Sequence, residues 1–196
     1  SANRGACLQN CRRSYKLIDE ETGDELRVEN KYIMSPKDLC TIGFIDKIVE
    51  TGVTVLKIEG RGRAPDYVDS VVRAYREAVD AYEDGTYTKE KIDAWTTKLE
   101  KVFNRGFWHG GYYLGKQLGE WAGKYGSQAT TQKIFLGKVI NYFTKPKIAQ
   151  FVMETGELNV GDQILITGPT TGIVRSTVKK IIANDIEQTS SKKGDS

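Results

Sequence analysis

Two of the three cysteines in this 196-residue chain stand close together in NRGACLQNCRRS, at Cys7 and Cys11; the third is Cys40. Thiolates at such spacing can clamp a soft metal. Zinc ribbons, however, use CxxC and need a second such pair. The radical-type CxxxCxxC pattern would need a thiol where this chain has Ser14. A four-iron cluster ordinarily takes four thiolates, and the odd count excludes a complete disulfide framework. Metal ligation, half of a disulfide framework and plain packing therefore all stay open for Cys7, Cys11 and Cys40.

A second constellation is LKIEGRGR, residues 56 to 63. Side chains alternate along a strand, so Lys57 and Glu59 would share a face with Val53 and Val55. That face is apolar at its start and ionic at its carboxyl end, where parallel α/β barrels keep their active sites. Lys57 and Glu59 are thus either catalytic groups or an ion pair closing the layer. Arg61 and Arg63 flank Gly62 just before a helix start at Pro65, which suits a carboxylate or phosphate, or else plain solvation.

Other chemistries find no support. The lone His109 cannot supply an HExxH pair, and GxSxG, P-loop and GxGxxG patterns are missing. A Cys–His dyad has no local signature.

These residues need a scaffold. SYKLID, a turn at Thr22-Gly23-Asp24 and ELRV predict a hairpin, and Lys31 to Met34 a further short strand. Ser35-Pro36-Lys37-Asp38 reads as a helix start, leading to Leu39, Ile42, Ile45, Ile48 and Val49 at helical spacing. That would place Cys40 in a first helical turn, where the macrodipole favours a thiolate. VTVLKIEG then predicts a strand buried between helices. A helix from Pro65 to Asp84-Gly85 carries Val68, Val71, Val72, Tyr75, Ala78, Val79 and Tyr82 on one stripe. Another spans Lys89 to Phe103 around Ile92, Trp95, Leu99 and Val102. Helix, strand, helix in this order is α/β grammar.

The texture changes at NRGFWHGGYYLGKQLGEWAGKYGSQ, read as a long connecting loop. From Lys133 onward come short β-type segments separated by turns at Thr155-Gly156, Val160-Gly161-Asp162 and Gly168-Pro169. They predict a small all-β barrel or sandwich over residues 133 to 186. The polar remainder, 187 to 196, reads as a disordered tail. With 39% hydrophobic and 28% charged residues, a formal charge of +3 and no long apolar run, the chain reads as soluble, cytoplasmic and tolerant of an anionic partner.

SANRGACLQNCRR, YIMSPKDLC, LKIEGRGRAPDYVDSVVRAYREAVD and NRGFWHGGYYLG together resemble successive motifs of the collagenase-like peptidase family (family U32), over most of residues 2 to 115. The β region resembles the small barrel that ends many members, itself similar to translation-factor barrels. The resemblance implies an α/β fold: the C-terminal part of a TIM-like barrel (residues 1 to 125, with the connecting loop), then the small β-barrel.

It also implies function. Many members are named peptidases. Others hydroxylate a tRNA wobble uridine, a ribosomal RNA cytidine or the ubiquinone ring, without oxygen or with prephenate as a small anionic cosubstrate. Several hold a 4Fe-4S iron–sulfur cluster on four cysteines. Carried over, Cys7 is one ligand and Cys40 or Cys11 the second, while the LCxxxxGxC segment that supplies the other two is not in this chain. The expectation is therefore the C-terminal portion of a longer protein, inactive alone, whose parent hydroxylates tRNA. Lys57, Arg61 and Arg63 would receive the anion and Glu59 would relay a proton. Lys133, Lys138, Lys145, Lys147, Arg175, Lys179 and Lys180 could meet RNA phosphates. The alternatives are a peptidase acting on peptides and a non-catalytic RNA-binding module.

Overall fold

The computed structural model describes residues 13–28, 37–60, 62–109, 124 and 126–195. The chain divides into two compact units, Ser1–Thr131 and Gln132–Ser196.

In the first unit the predicted hairpin is present. β1 (Tyr15–Ile18) pairs antiparallel with β2 (Glu25–Val28). Asp19 Oδ1 accepts the backbone N–H groups of Glu21 and Thr22, both at 2.9 Å, which folds the turn between them. These donors hold the Asp19 carboxyl below the usual aspartate range.

The next segment departs from expectation. Asp38–Leu39 is a short strand, β3, and α1 runs only Ile45–Glu50. Helical spacing of apolar residues did not decide this stretch, because Asp38 and Cys40 give their backbone N–H groups to a distant strand instead. Ser35, Pro36 and the strand predicted at Lys31 to Met34 lie outside the described residues. VTVLKIEG, predicted as a buried strand, forms no strand: Val55 is 80% exposed and no described strand pairs with the segment. A doubly covered strand needs neighbours to take its N–H and C=O groups.

α2 (Pro65–Glu83) starts with proline at its first turn and ends before Gly85, whose φ of 68° suits a helix stop. Its buried stripe is Val71, Ala74, Ala78 and Ala81, at helical spacing; Val68 and Val72, expected inside, are exposed. Small side chains let α2 approach its neighbours closely. α3 (Lys89–Glu100) begins at Thr88, whose hydroxyl accepts the Lys91 N–H, and stops short of the predicted Phe103. Trp95 and Leu99 from α3 complete a core with Cys40, Ile42 and Ile45. Trp95 Nε1–H donates to Glu77 Oε2 at 2.9 Å, and its ring stacks on Tyr87. The Tyr87 hydroxyl in turn donates to the Ile42 carbonyl. β4 (Phe107–Trp108) is a strand inside what the sequence suggested was loop, and it pairs in parallel with β3.

The second unit is built of hairpins and one longer-range strand pair. β5 (Gly137–Phe143) pairs with β6 (Ile148–Met153), and β8 (Gln163–Gly168) with β9 (Gly172–Thr177). β7 (Glu157–Asn159) pairs with β12 (Ser190–Lys192), and β10 (Ile181–Ala183) with β11 (Ile186–Gln188). The turns fall where predicted, with Gly156 and Gly161 at positive φ. Met153, Leu158, Val178 and Ile181 form the core. The segment expected to be a disordered tail is structured instead. Ser191 is buried and β12 completes a sheet with β7, so backbone pairing outweighs its polar composition. Among the described residues every sheet is two-stranded and none closes into a barrel.

Candidate functional site

The site grows from the β3–β4 pair in the first unit. Asp38 N–H donates to the Gly106 carbonyl at 2.9 Å, and Cys40 N–H to that of Trp108 at 2.8 Å. The approach to β4 is fixed by Asn104, which is buried: its Nδ2 donates to Val102 O, and its Oδ1 accepts Gly106 N–H at 3.0 Å. Gly106 has φ 79°, and a Cβ there would meet the Gln128 amide at 3.2 Å. Gln128 Nε2 itself holds the Arg105 carbonyl at 2.9 Å. The chain is thereby turned so that Arg105 faces Asp38.

Asp38 is the centre of the charge arrangement. Its Oδ1 accepts Arg105 Nη2 at 2.7 Å and Arg63 Nη2 at 3.1 Å, and its Oδ2 accepts the Arg105 backbone N–H at 3.0 Å. The three side chains are 16% to 25% exposed. One carboxylate between two guanidiniums leaves one positive charge in a partly desolvated setting, where Coulomb forces act more strongly than in water. The Arg63 guanidinium also lies over the Phe103 ring, 4.1 Å from its centroid, and near Tyr67 at 5.2 Å. Burial pushes the Tyr67 hydroxyl above the ordinary tyrosine value, with Arg63 opposing.

Cys40 follows β3 and is buried against Tyr75, not seated in a helix turn. The dipole argument for a thiolate therefore fails: burial pushes its pKa up and keeps the thiol protonated. Tyr75 is fixed by Thr41, whose backbone N–H donates to the phenol oxygen at 2.9 Å. Among the described residues Cys40 is the sole cysteine, and no three His, Cys, Asp or Glu side chains stand together as a metal cradle. The described residues can offer a cluster one ligand and cannot hold it by themselves. Cys7, Cys11 and Arg61 lie outside the described residues.

Lys57, Glu59 and Arg63 border one cleft of about 590 Å³, together with Asp38, Cys40 and Arg105. Its lining includes four cationic side chains, Lys37, Lys57, Arg63 and Arg105, two carboxylates, Asp38 and Glu59, and the aromatic side chains of Tyr67, Tyr75, Phe103, Phe107 and Trp108. This lining suits a planar or ring-bearing anion. No histidine lines it; His109 makes an edge contact with Phe107.

Two site residues are not legible as such in the sequence: Asp38 reads as a helix-start acid but lies in β3, and Arg105 sits in a loop-like stretch but bonds Asp38 from the approach to β4. The signal available was Asn104-Arg105-Gly106, in which an amide side chain and a glycine bracket one arginine as a turn does.

The pattern described as peptidase family U32 matches residues 1–123. A protein named collagenase from Porphyromonas gingivalis is 58% identical over 181 residues, covering 92% of this chain and 44% of that protein. An uncharacterized protease of Methanocaldococcus jannaschii is 38% identical over 198 residues, covering 99% and 48%. A tRNA hydroxylation protein P1 of Bacillus subtilis is 32% identical over 197 residues, covering 94% and 44%. The chain thus spans about half the length of these relatives or less. No solved structure matches it. Among the described residues no helix is long and apolar enough to cross a membrane.

Proposed function

The chain belongs to peptidase family U32, and from that premise we propose that it serves an enzyme that hydroxylates a base in RNA, with tRNA as the substrate class. The observation that carries this reading is the lining of the cleft. Guanidinium, ammonium and aromatic groups line it, and no nucleophile paired with a base stands among its described residues. Similarity to the tRNA hydroxylation protein over 94% of this chain supports the same direction.

In this reading Arg63 and Arg105, held by Asp38, attract an anionic cosubstrate or a backbone phosphate, with Lys57 beside them and Arg61 a further candidate. Glu59 carries or relays a proton at the cleft wall. Replacing a base C–H by C–OH is a two-electron oxidation. It balances if an anionic hydroxyl donor, with prephenate as the proposed example, gives up OH and takes the hydrogen. The iron–sulfur cluster enters as a proposal about ligands only: Cys40, with Cys7 or Cys11. The closed fold proposed around the cleft is the TIM-like barrel, and the second unit is proposed as a small β-barrel module that meets RNA. The proposed compartment is the cytoplasm.

A second reading, peptide hydrolysis, is favoured by the 58% identity to a protein named collagenase. One comparison separates the two. Cells lacking the full-length protein are complemented with wild type or Arg63→Ala. Hydroxylated nucleosides in their tRNA are then measured by mass spectrometry, and gelatin cleavage is measured on the purified proteins. Loss of one hydroxylated nucleoside in the null strain and with Arg63→Ala supports RNA hydroxylation. Unchanged nucleosides with gelatin cleavage that Glu59→Gln abolishes would replace it by hydrolysis.

A further inference from the structure

In the second unit β5 and β6 do not pair by simple alternation. Val139 lies opposite Phe151 and Asn141 opposite Gln150, so Ile140 is an extra residue, a bulge. Its effect on side-chain direction is specific. Without the bulge, Tyr142 would oppose Ile148 and point to the face away from Phe151. With it, Tyr142 opposes Ala149, and Val139, Tyr142 and Phe151 share a face. Asn141 Oδ1 accepts the Tyr142 N–H at 2.8 Å and holds the irregular step.

The same face carries Met153 into the core at the hairpin's base, but toward the tip it leaves the core behind. Tyr142 is 53% exposed and Phe151 37%. They are diagonal neighbours across the strands, about 7–8 Å apart at the backbone, so the two side chains stand side by side on one face. Opposite Tyr142, Ala149 is too small to cover its ring. The result is two aromatic side chains on one face, both open to solvent.

The tip beside it is cationic. Thr144-Lys145-Pro146-Lys147 closes the hairpin, and Lys145 and Lys147 are exposed. Lys147 adopts φ 58°, the left-handed region where glycine or asparagine is ordinarily found. A lysine at a position that disfavours its backbone motivates a role for its side chain.

We propose that this hairpin is a single-stranded RNA platform: Tyr142 and Phe151 stack unpaired bases, and Lys145 and Lys147 take the adjoining phosphates. The charge at the tip selects a polyanion over an apolar protein partner, and stacking on rings beside cations is how sequence-tolerant single-strand binders work. The inference rests on the reading of the chain as RNA-directed and assigns the recognition element, in a unit separate from the cleft.

The test is fluorescence anisotropy of the full chain with labelled oligouridylate of about 12 nucleotides. Tyr142→Ala with Phe151→Ala should weaken binding about tenfold or more. Tyr142→Phe with Phe151→Tyr keeps the rings, and therefore the binding, and guards against misfolding as the cause. Lys145→Ala with Lys147→Ala should lower the slope of log K against log salt by about 1.4, since each phosphate contact on a single strand contributes about 0.7. Unchanged affinity in both double variants overturns the proposal. So does failure of the wild type to bind while Tyr142→Lys disperses a self-associated species, which would make the face a contact between copies. A hydroxylated nucleoside that still depends on the protein, with RNA binding indifferent to the hairpin, sinks this inference alone. RNA binding through the hairpin with no dependent nucleoside sinks the proposed function alone.

Discussion

Arg105 grips Asp38 twice: its guanidinium donates to Oδ1 at 2.7 Å and its own backbone N–H donates to Oδ2 at 3.0 Å. A side chain and a main chain from one residue thus fix both oxygens of a carboxylate that Arg63 also shares.

Because Asp38 serves two arginines, its loss should be the more costly change. Asp38→Asn removes the charge that both guanidiniums bond and should cost about 2 to 3 kcal/mol. Arg105→Gln leaves the Asp38–Arg63 pair intact and should cost less, about 1 to 2 kcal/mol. Urea unfolding followed by tryptophan fluorescence checks the order, since all three tryptophans precede residue 132. Equal or reversed losses would mean that the carboxylate does not hold the cleft together.

Tyr87 predicts an alkaline weakness in the first unit. Burial, with Asp46 nearby, pushes its hydroxyl up to about 12, from about 10 in an unfolded chain. The folded state then holds this proton more tightly. The contribution to stability is full below pH 10 and is lost as pH rises through 12. Thermal midpoints from pH 8 to 11.5 should fall above pH 10, and Tyr87→Phe should flatten that decline. A decline of the same steepness in the variant would assign it elsewhere.

Gly137 should tolerate no side chain. A Cβ at this position would stand 1.8 Å from the Val152 carbonyl oxygen, inside the β5–β6 ladder. Gly137→Ala should therefore destabilise the second unit by about 3 kcal/mol or more. Amide exchange across residues 138–152 should quicken while tryptophan-reported unfolding of the first unit stays as it is. Native exchange in the variant would show that the strands can part there at little cost.

Lys147 sets stability against recognition. Lys147→Gly removes a left-handed lysine but frees the unfolded chain, so the net gain should be about 0.5 kcal/mol. RNA binding should weaken at the same time. Calorimetry together with anisotropy measures both; a variant that gains neither stability nor loses affinity would leave the strained lysine without a role.

Legibility in the sequence followed the range of the interactions. The β1–β2 hairpin was readable because Asp19 and Gly23 carry the turn within six residues, and α2 because Pro65 and Gly85 mark its ends. The β3–β4 pair was not, because its partners are separated by the whole α2–α3 segment and each strand has only two residues. The same distance hides the pairing of Asp38 with Arg105, whereas Lys57, Glu59 and Arg63 lie within one short segment and form a local pattern. The burial expected of VTVLKIEG failed for a related reason: apolar composition favours a covered strand, but neighbouring strands have to supply the cover.

The parallel β3–β4 pair also sets an order of assembly. α2 and α3 are joined by a short turn and can associate early, while β3 meets β4 only after a closure spanning 67 residues between Asp38 and Arg105. The β3–β4 wall of the cleft is therefore expected to form after the α2–α3 wall and to open before it. We expect the amides of Asp38 and Cys40 to exchange well before that of Ala78, and uniform exchange across all three would refute this order. In such a molecule the helices can be intact while the cleft does not yet exist. An anion that bridges its two sides would act as a late clasp, raising the protection of β3 and leaving α2 unchanged.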